Sequence, residues 1–488
     1  MSIARPFDKI LIANRGEIAI RVMRACREMG IATVAVYSDA DANAIHRRYA
    51  DEAYHIGGAA ARDSYLQLDR IVHLAAEVGA GAIHPGYGFL SERPELPEAC
   101  AAAGIKFVGP PASAMRTLGS KLAARQLAVA SGVPVASGSP AITDIKQGLE
   151  CAAEIGFPVI IKPSGGGGGI GMKVVERAED LAAALTAAAA AAQAAFGDPT
   201  VFLERYLRNP RHVEFQILAD SHGQVIHLGE RECSLQRRHQ KIMEETPSPA
   251  LTEDVREQMG EAAVRVARAA GYQNAGTVEF IFADGAFYFL EVNARLQVEH
   301  PITESVTGVD LVKEQIRIAA GEPLSRSQSE AGSTGHSIEM RINAEDPVRG
   351  FAPDPERIRH WVAPGGPGVR VDSGFGPGSQ VPPNYDSLLA KLIVHGRDRA
   401  EAIARAERAL SEFVLTGPKT TIPFHRAILA EPDFRAGRLS THFIEDHPAL
   451  LERARGLATE VSALDHGPDP RQVAAAAAAV AALTGPRQ

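Results

Sequence analysis

The sequence predicts a multidomain protein of mixed α/β and α+β architecture. Three observations carry that expectation: a length of 488 residues, a β-α-β pattern at the amino end, and later apolar runs that pair as antiparallel hairpins. A chain of this length outgrows one hydrophobic core and divides into about two to four domains. Its 45% hydrophobic and 23% charged residues are those of an ordinary globular protein.

Residues 8–39 hold the first unit. DKILIAN reads as a strand, RGEIAIRVMRACREMG as a helix and IATVAVYSD as a second strand. Ile18, Val22 and Cys26 fall at i, i+4 and i+8 on one helical face, and Gly30 is placed to cap the end. This start is Rossmann-like. Its first turn, ANRGEIA, has one glycine in place of G-x-G-x-x-G, so dinucleotide binding is not expected. GAIHP adds a strand, GYGFLSE a loop, and KFVGPPAS the last strand and exit, which bounds a first domain at residues 1–118.

Residues 119–334 read as a second, α+β domain. The helix AARQLAVASG leads to FPVIIK and MKVV, two strands around a glycine loop, and then to an alanine-rich helix. Strands follow near TVFLERYL, HVEFQILAD and QVIHLGERE, then a helix at 253–270 and the strand pair TVEFIFAD and AFYFLEVN. A third region, 335–447, combines the strands SIEMRIN and LLAKLIVHG with a helix over Arg399–Leu415, and 448–488 is a charged, then alanine-rich tail. No internal repeat is present.

Composition excludes several classes. The net charge of −8 gives no footprint for nucleic acid. Cys26, Cys100, Cys151 and Cys233 lie far apart without a C-x-x-C spacing, which fits free thiols in a reducing cytoplasm. The start, MSIARPFDKILIAN, lacks the apolar core of a secretion signal, and the alanine runs 181–196 and 473–483 are too weakly apolar for a membrane span.

The stretch SGGGGGIGMK, residues 164–173, holds six glycines. Each costs about 0.5–1 kcal/mol relative to alanine when ordered, so the loop is either a linker or a close neighbour of a ligand. A P-loop needs G-x-x-x-x-G-K-[ST] before a helix, whereas Gly171 is followed by Met172 and a strand. A hairpin tip of this kind can fold over a triphosphate and donate backbone N–H groups, with Lys162 adding a cation.

The hairpin TVEFIFADGAFYFLEVNAR, 277–295, concentrates acids. Alternation puts Val278, Phe280 and Phe282 toward a core and leaves Glu279 on the other face, while Glu291, Asn293 and Arg295 share a face on the returning strand. A three-residue loop, Asp284-Gly285-Ala286, would set Glu279 opposite Glu291; a two-residue Asp-Gly turn would put them on opposite faces. Paired, the two carboxylates and an amide oxygen make an oxygen site for Mg²⁺. ERECSLQRRHQK, 230–241, gathers Arg231, Arg237, Arg238, His239 and Lys241, and RLQVEHP places Arg295, Gln297 and Glu299 at alternate positions, as on one strand face. In a net-acidic chain, a basic cluster beside a Mg–triphosphate site has an anion to hold.

ANRGEIA, HPGYGFLSE, SGGGGGIGM, ERECSLQRRHQK, EVNARLQVEHPITE and RINAEDP, in this order between about residues 8 and 447, resemble the biotin carboxylases. These are the ATP-grasp components of biotin-dependent carboxylases. The resemblance implies a Rossmann-like N-terminal domain, an ATP-grasp domain whose glycine hairpin is a lid, and a C-terminal biotin carboxylase domain. It implies that ATP and bicarbonate give carboxyphosphate and ADP, and that the carboxyl group passes to N1′ of biotin.

Carried over position by position, Lys121, Lys162, Gly166, Gly167 and Gly168 would meet the nucleotide phosphates. Glu204, Leu207, His212, Gln236, His239 and Ile281 would surround the nucleotide. Glu279 and Glu291, with Asn293 near them, would hold two Mg²⁺, with Mn²⁺ as a substitute. Lys241, Arg295, Gln297 and the Val298 backbone would bind bicarbonate, Glu299 would be its general base, and Arg341 would stabilise the biotin enolate. A homodimer in the cytoplasm is implied, with a biotinylated carrier and a carboxyltransferase as partners. The acceptor implied first is acetyl-CoA, as in fatty acid biosynthesis; propionyl-CoA or pyruvate are alternatives.

Biotin itself is expected on another protein: the single Met-Lys pair of these 488 residues is Met172-Lys173, inside the glycine hairpin. The alanine-rich tail is a candidate contact for that partner. Departures from the family pattern are Ile170 in place of a basic residue after the glycines, EVNAR in place of N-T-R, and Ala390 in YDSLLAKL. Ile170→Arg is expected to tighten ATP binding by about 0.2–1 kcal/mol, the value of an exposed charge contact. Two other readings are a different ATP-grasp acyl-phosphate ligase, which would not use RLQVEH joined to Arg341, and a non-catalytic ATP-binding protein, which would have lost its acids.

Overall fold

The computed structural model describes residues 5–164 and 171–465, with side chains through 458. The glycines Gly166, Gly167 and Gly168, Ile170 and the alanine run 473–483 lie outside the described residues.

The amino-terminal sheet is parallel throughout: β1 (Lys9–Ile12), β2 (Ala32–Tyr37), β3 (Glu52–His55), β4 (Ala82–His84) and β5 (Lys106–Phe107) take the order β3-β2-β1-β4-β5. The helix Gly16–Glu28 follows β1 and buries Ile18, Val22 and Cys26, and Gly30 leaves it with φ +71°. In a Rossmann fold the N-terminus of this first helix receives phosphates. Here Gly374 presses on it instead: a Cβ on Gly374 would stand 2.6 Å from both the Glu17 nitrogen and Gly16 Cα. The carboxy-terminal part of the chain packs against the place a dinucleotide would use.

A small antiparallel sheet, order β7-β6-β8, combines β6 (Val159–Pro163), β7 (Lys173–Val175) and β8 (Val201–Arg205). Val159, Ile161, Val175, Val201 and Leu203 bury one face against the helices Ile145–Ile155 and Ala178–Phe196. The glycine loop thus joins β6 to β7, as the hairpin reading expects.

The site rests on an eight-stranded sheet. It contains β9 (Arg211–Ala219), β10 (Val225–Arg237), β11 (Gln240–Thr246), β12 (Asn274–Ala283), β13 (Ala286–Asn293), β14 (His336–Asn343) and the strands Val369–Ser373 and Leu388–Gly396. Its order is β13-β12-β9-β10-β11-β14, then Leu388–Gly396, then Val369–Ser373. One continuous sheet therefore spans the second and third regions of the sequence. The helix Glu253–Ala269 and the Phe215, Phe280 and Phe289 side chains form one core, while the helices Arg399–Glu412 and Ile422–Leu429 pack over the other end.

Two sequence expectations are corrected. Of the two turns left open, the acidic hairpin takes the two-residue one: Ala283 pairs with Ala286, and Asp284 and Gly285 have φ of +51° and +78°, as in a type I′ turn. Glu279 nevertheless stands opposite Glu291. A β-bulge restores the register, since Phe280 pairs with Phe289 but Glu279 with Glu291, which leaves Leu290 as the extra residue.

β10 runs through Arg237, turns at Arg238 and His239, and returns as β11. Finally, RLQVEHP is no strand: it is the turn entering the helix His300–Thr307, with Glu299 at its N-cap. The tail begins as a helix, Ala449–Asp465, and buries Leu450 and Ala454 in the carboxy-terminal core.

Candidate active site

A cleft of about 1400 Å³ opens over the large sheet, and every described residue given a catalytic, binding or metal role from the sequence lines it. Lys121, Lys162, Glu204, Leu207, His212, Gln236, His239 and Ile281 occupy it together with Glu279, Glu291, Asn293, Lys241, Arg295, Gln297, Val298, Glu299 and Arg341. The sheet explains the convergence. Neighbouring strands β12, β9, β10, β11 and β14 each send alternate side chains to one face, so residues distant in sequence meet there.

At one end, Glu204 on β8 takes charged contacts from Lys162 on β6 and from Arg125 Nη1 at 3.2 Å. Gln236 Nε2 lies 2.9 Å from His212 Nδ1, and His212 Nε2 lies 3.0 Å from Glu279 Oε2. Burial works against a charge on His212, but Glu279 outweighs it and the pKa is raised.

The two acids across the bulge differ in electrostatics. Burial would raise the Glu279 pKa, yet Lys241 and His212 hold it well below the usual range. Glu291 is pushed up, by burial and then by Glu279. That residual repulsion is what a hard divalent cation between two carboxylates relieves, so the pair fits one. Asn293 serves a different purpose from a ligand in this arrangement: its Nδ2 donates to Glu279 Oε1 at 2.7 Å and its Oδ1 accepts from Arg295 Nη2 at 2.9 Å. His212, Glu214 and Glu279 also bring ligand atoms within 4.8 Å of one another. Glu214 is already neutralised by Arg231 and Lys241, which disfavours a cation there.

Next to the acids stands a dense ionic cluster. Lys241 Nζ reaches Glu299 Oε1 at 2.7 Å and Glu279 Oε1 at 3.2 Å, and also contacts Glu214. Arg341 Nη2 donates to Glu299 Oε2 at 3.0 Å. Burial alone would raise the Glu299 pKa; Lys241, Arg341 and Arg231 outweigh it and hold the carboxyl far below the usual range. Burial likewise opposes the charge on Lys241, but Cys233 and the acids around it raise its pKa well above normal. Arg295 Nε lies 3.2 Å from Glu92, and Gln297 Nε2 donates to Glu279 Oε1 at 2.9 Å.

Beneath this cluster, Arg231 does not face a bound anion as the basic run suggested, and Lys391 had no role in the sequence reading. Arg231 is fully buried and uses its Nε and both terminal nitrogens: Glu214 Oε1 at 2.6 Å, Gln216 Oε1 and Gln297 Oε1 at 2.7 Å, and the Thr277 and Thr303 hydroxyls at 3.1 Å. It sets the Gln297 amide so that its nitrogen faces Glu279. Lys391, also fully buried, donates to the Val298 carbonyl at 2.9 Å and meets Glu17 Oε1 at 3.0 Å, which fixes the Gln297–Glu299 turn from below. Strand alternation within ERECSLQRRHQK was the available signal for Arg231.

Arg231→Met should remove about 3–5 kcal/mol of stability, the usual loss on breaking one partner out of a buried ion pair. Differential scanning calorimetry checks this: an unchanged thermal midpoint would show that Gln216, Thr277 and Glu214 find other partners.

Residues 6–115 match "Biotin carboxylase, N-terminal domain", residues 120–327 "Carbamoyl-phosphate synthase L chain, ATP binding domain", and residues 339–446 "Biotin carboxylase C-terminal domain". The chain is 52% identical over 445 residues to biotin carboxylase 1 of Bacillus subtilis, covering 91% of this chain and 99% of that one. The chain belongs to the biotin carboxylase family.

It is also 57% identical over 442 residues to a pyruvate carboxylase subunit of Methanothermobacter thermautotrophicus, covering 90% of each. Among solved structures it resembles the biotin carboxylase domain dimer of Hydrogenobacter thermophilus 2-oxoglutarate carboxylase, in complex with MgADP, ADP and bicarbonate. That likeness has a TM-score of 0.86 at 48% identity, over 91% of this chain and 98% of that one. Campylobacter jejuni biotin carboxylase in its β,γ-ATP complex gives a TM-score of 0.87 at 45% identity, over 90% and 99%. The multidomain biotin carboxylase fold with an ATP-grasp domain, expected from the sequence, is thereby established.

Proposed function

We propose that this chain carries out the ATP- and bicarbonate-dependent carboxylation of biotin N1′ on a separate carrier protein, through carboxyphosphate. The observation that carries the reading is the meeting, in one cleft, of the Glu279–Glu291 pair with the Lys241–Glu299–Arg341 cluster. A triphosphate site and an anion-activating base are then side by side.

Lys121, Lys162, Glu204, Leu207, His212, Gln236, His239 and Ile281 hold the nucleotide in this reading, and the glycine loop with Gly166, Gly167 and Gly168 covers it. Glu279 and Glu291, with Asn293 orienting Glu279, hold two Mg²⁺, which Mn²⁺ can replace. When bound, the metals neutralise charge on the transferring phosphoryl group. Lys241 and Arg295 bind bicarbonate with Gln297 and Val298; the planar fork of Arg295 suits a planar three-oxygen anion. Glu299 takes the bicarbonate proton, because the anion is a poor nucleophile until that proton leaves. Arg341 holds the biotin oxygen as negative charge develops on it.

The proposed domain division is 1–118, 119–334, 335–447 and 448–488. A homodimer is proposed from the similar domain dimer, and a cytoplasmic setting from thiols that remain free at Cys26, Cys100, Cys151 and Cys233. Among the described residues no helix is long and apolar enough to cross a membrane. The proposed final acceptor is acetyl-CoA, as the sequence reading has it. The 57% identity to a pyruvate carboxylase component supports a second reading, with pyruvate as acceptor.

Bicarbonate-dependent ADP release that rises with free biotin tests the core of the reading; ADP release indifferent to bicarbonate would refute it. Reconstitution with a biotinylated carrier and either acetyl-CoA or pyruvate carboxyltransferase separates the acceptors. Streptavidin blotting after co-expression with a biotin ligase should leave this polypeptide unlabelled, since its Met172-Lys173 pair is built into the β6–β7 hairpin. A labelled band at 51.8 kDa would overturn the separate carrier.

A further inference from the structure

Arg341 stands on β14 between two carboxylates. Its Nη2 donates to Glu299 Oε2 at 3.0 Å, and its Nε donates to Glu244 Oε1 at 2.7 Å, an oxygen that Nη2 also contacts. Among the described residues its Nη1 has no hydrogen-bond partner, and the side chain lines the cleft. Two of the three guanidinium nitrogens are therefore spent on orientation, and one is left for a ligand.

Glu244 is an odd residue to bury. It is 1% exposed on β11, directly opposite Glu339 on β14, which is 0% exposed. Glu244 Oε2 and both Glu339 carboxyl oxygens have no hydrogen-bond partner. Unsatisfied buried oxygens are expensive, and a whole buried ion pair is commonly replaced by apolar side chains of similar volume without loss of stability. Among the described residues the Glu244 side chain makes hydrogen bonds to Arg341 alone. Fold stability does not account for it; the arginine does.

We propose that Glu244 is a positioning residue for Arg341, gripping its Nε and Nη2 so that Nη1 is aimed at the biotin oxygen. The inference rests on the reading of Arg341 given above. Burial pushes the Glu244 pKa up to about 7 against the pull of Arg341, with Glu299 adding to the rise. The charged groups that face it are Arg341 and Glu339 on β14, Lys241 on its own strand, Glu299 in the turn and Lys391 on the strand Leu388–Gly396. The grip is complete above neutrality and loosens as the pH falls through it, when Glu244 takes a proton.

Glu244→Met tests the proposal. Biotin carboxylation should fall by about 10²-fold in kcat, the scale of a misplaced catalytic group. Biotin-independent, bicarbonate-dependent ATP cleavage should stay near wild type, because Arg341 keeps Glu299 as a partner, while the loss of one member of a buried ion pair lowers the thermal midpoint without unfolding the protein at assay temperature. Equal loss in both activities, a collapsed midpoint, or no loss in either would overturn it. In the unmodified protein, the biotin-dependent rate should carry an acid limb near neutrality that biotin-independent cleavage lacks; identical pH profiles would also overturn it. If the unmodified protein shows no bicarbonate-dependent ADP release, the reading of the whole site fails, which is distinct from a failure of Glu244.

Discussion

Glu299→Gln is expected to cut bicarbonate-dependent ATP cleavage by about 10²–10⁴-fold, the usual effect of losing one general base, while nucleotide binding is retained. The carboxylate is 1% exposed and pinned by Lys241 and Arg341. Those cations, with Arg231, hold it ionised across the neutral range against the effect of burial. It can always accept a proton, but so low a pKa makes it a weak base. An anion seated against Lys241 and Arg295 shares that positive charge and sets a like charge beside the carboxylate, and both effects raise its pKa. Base strength thus arrives with the substrate. Glutamine keeps the shape and cannot take the proton. Single-turnover ADP release with and without bicarbonate, set against nucleotide affinity from titration calorimetry, checks the claim, and near-full cleavage would remove Glu299 from the role.

The same ion pairs make a stability statement. The folded pKa of Glu299 lies below the unfolded value of about 4.3. Its stabilising contribution is therefore complete above that value and is lost as the pH falls through and below it. Glu299→Gln should show a shallower dependence of acid unfolding on pH than the unmodified protein.

Local chemistry was readable where it has a local cause. The β-α-β start follows from apolar spacing at Ile18, Val22 and Cys26, and the β6–β7 hairpin from apolar runs on either side of the glycines. The acids of the hairpin were visible as a pair, but their register depended on one bulged residue, Leu290, whose apolar side chain carries no mark of a bulge. Asp284-Gly285 signals a two-residue turn, and without the bulge that turn would have separated Glu279 from Glu291.

Buried charge is the other blind spot. Arg231, Glu244, Glu339 and Lys391 have the composition of solvated residues, and hydropathy assigns them to the surface. They are buried because β9, β10, β11, β14 and the strand Leu388–Gly396 pair across long stretches of chain and bring cations to acids. The residues matched to family motifs, by contrast, converge on one cleft because most of them sit on neighbouring strands of the large sheet or on the turn that follows its hairpin.

Arg341→Ala is expected to lower biotin carboxylation by about 10²–10³-fold, the loss typical of one donor to a developing oxyanion, and to lower biotin-independent ATP cleavage much less. The asymmetry follows from timing. Negative charge on the biotin oxygen develops only as N1′ gives up its proton, after ATP has been cleaved, so its donor is idle in the first half-reaction. Two side effects of the substitution can be separated from this. Glu299 loses one of its cations, which raises its pKa and shifts the cleavage rate modestly through the base. Glu244 is left buried with no partner, a penalty of about 1–3 kcal/mol that lowers the thermal midpoint. Combining Arg341→Ala with Glu244→Met removes the orphaned acid, so the midpoint should recover while biotin carboxylation stays low. A double variant that regains biotin carboxylation would show that the single substitution acted through stability. Equal loss in both half-reactions, with the midpoint intact, would instead assign Arg341 to bicarbonate.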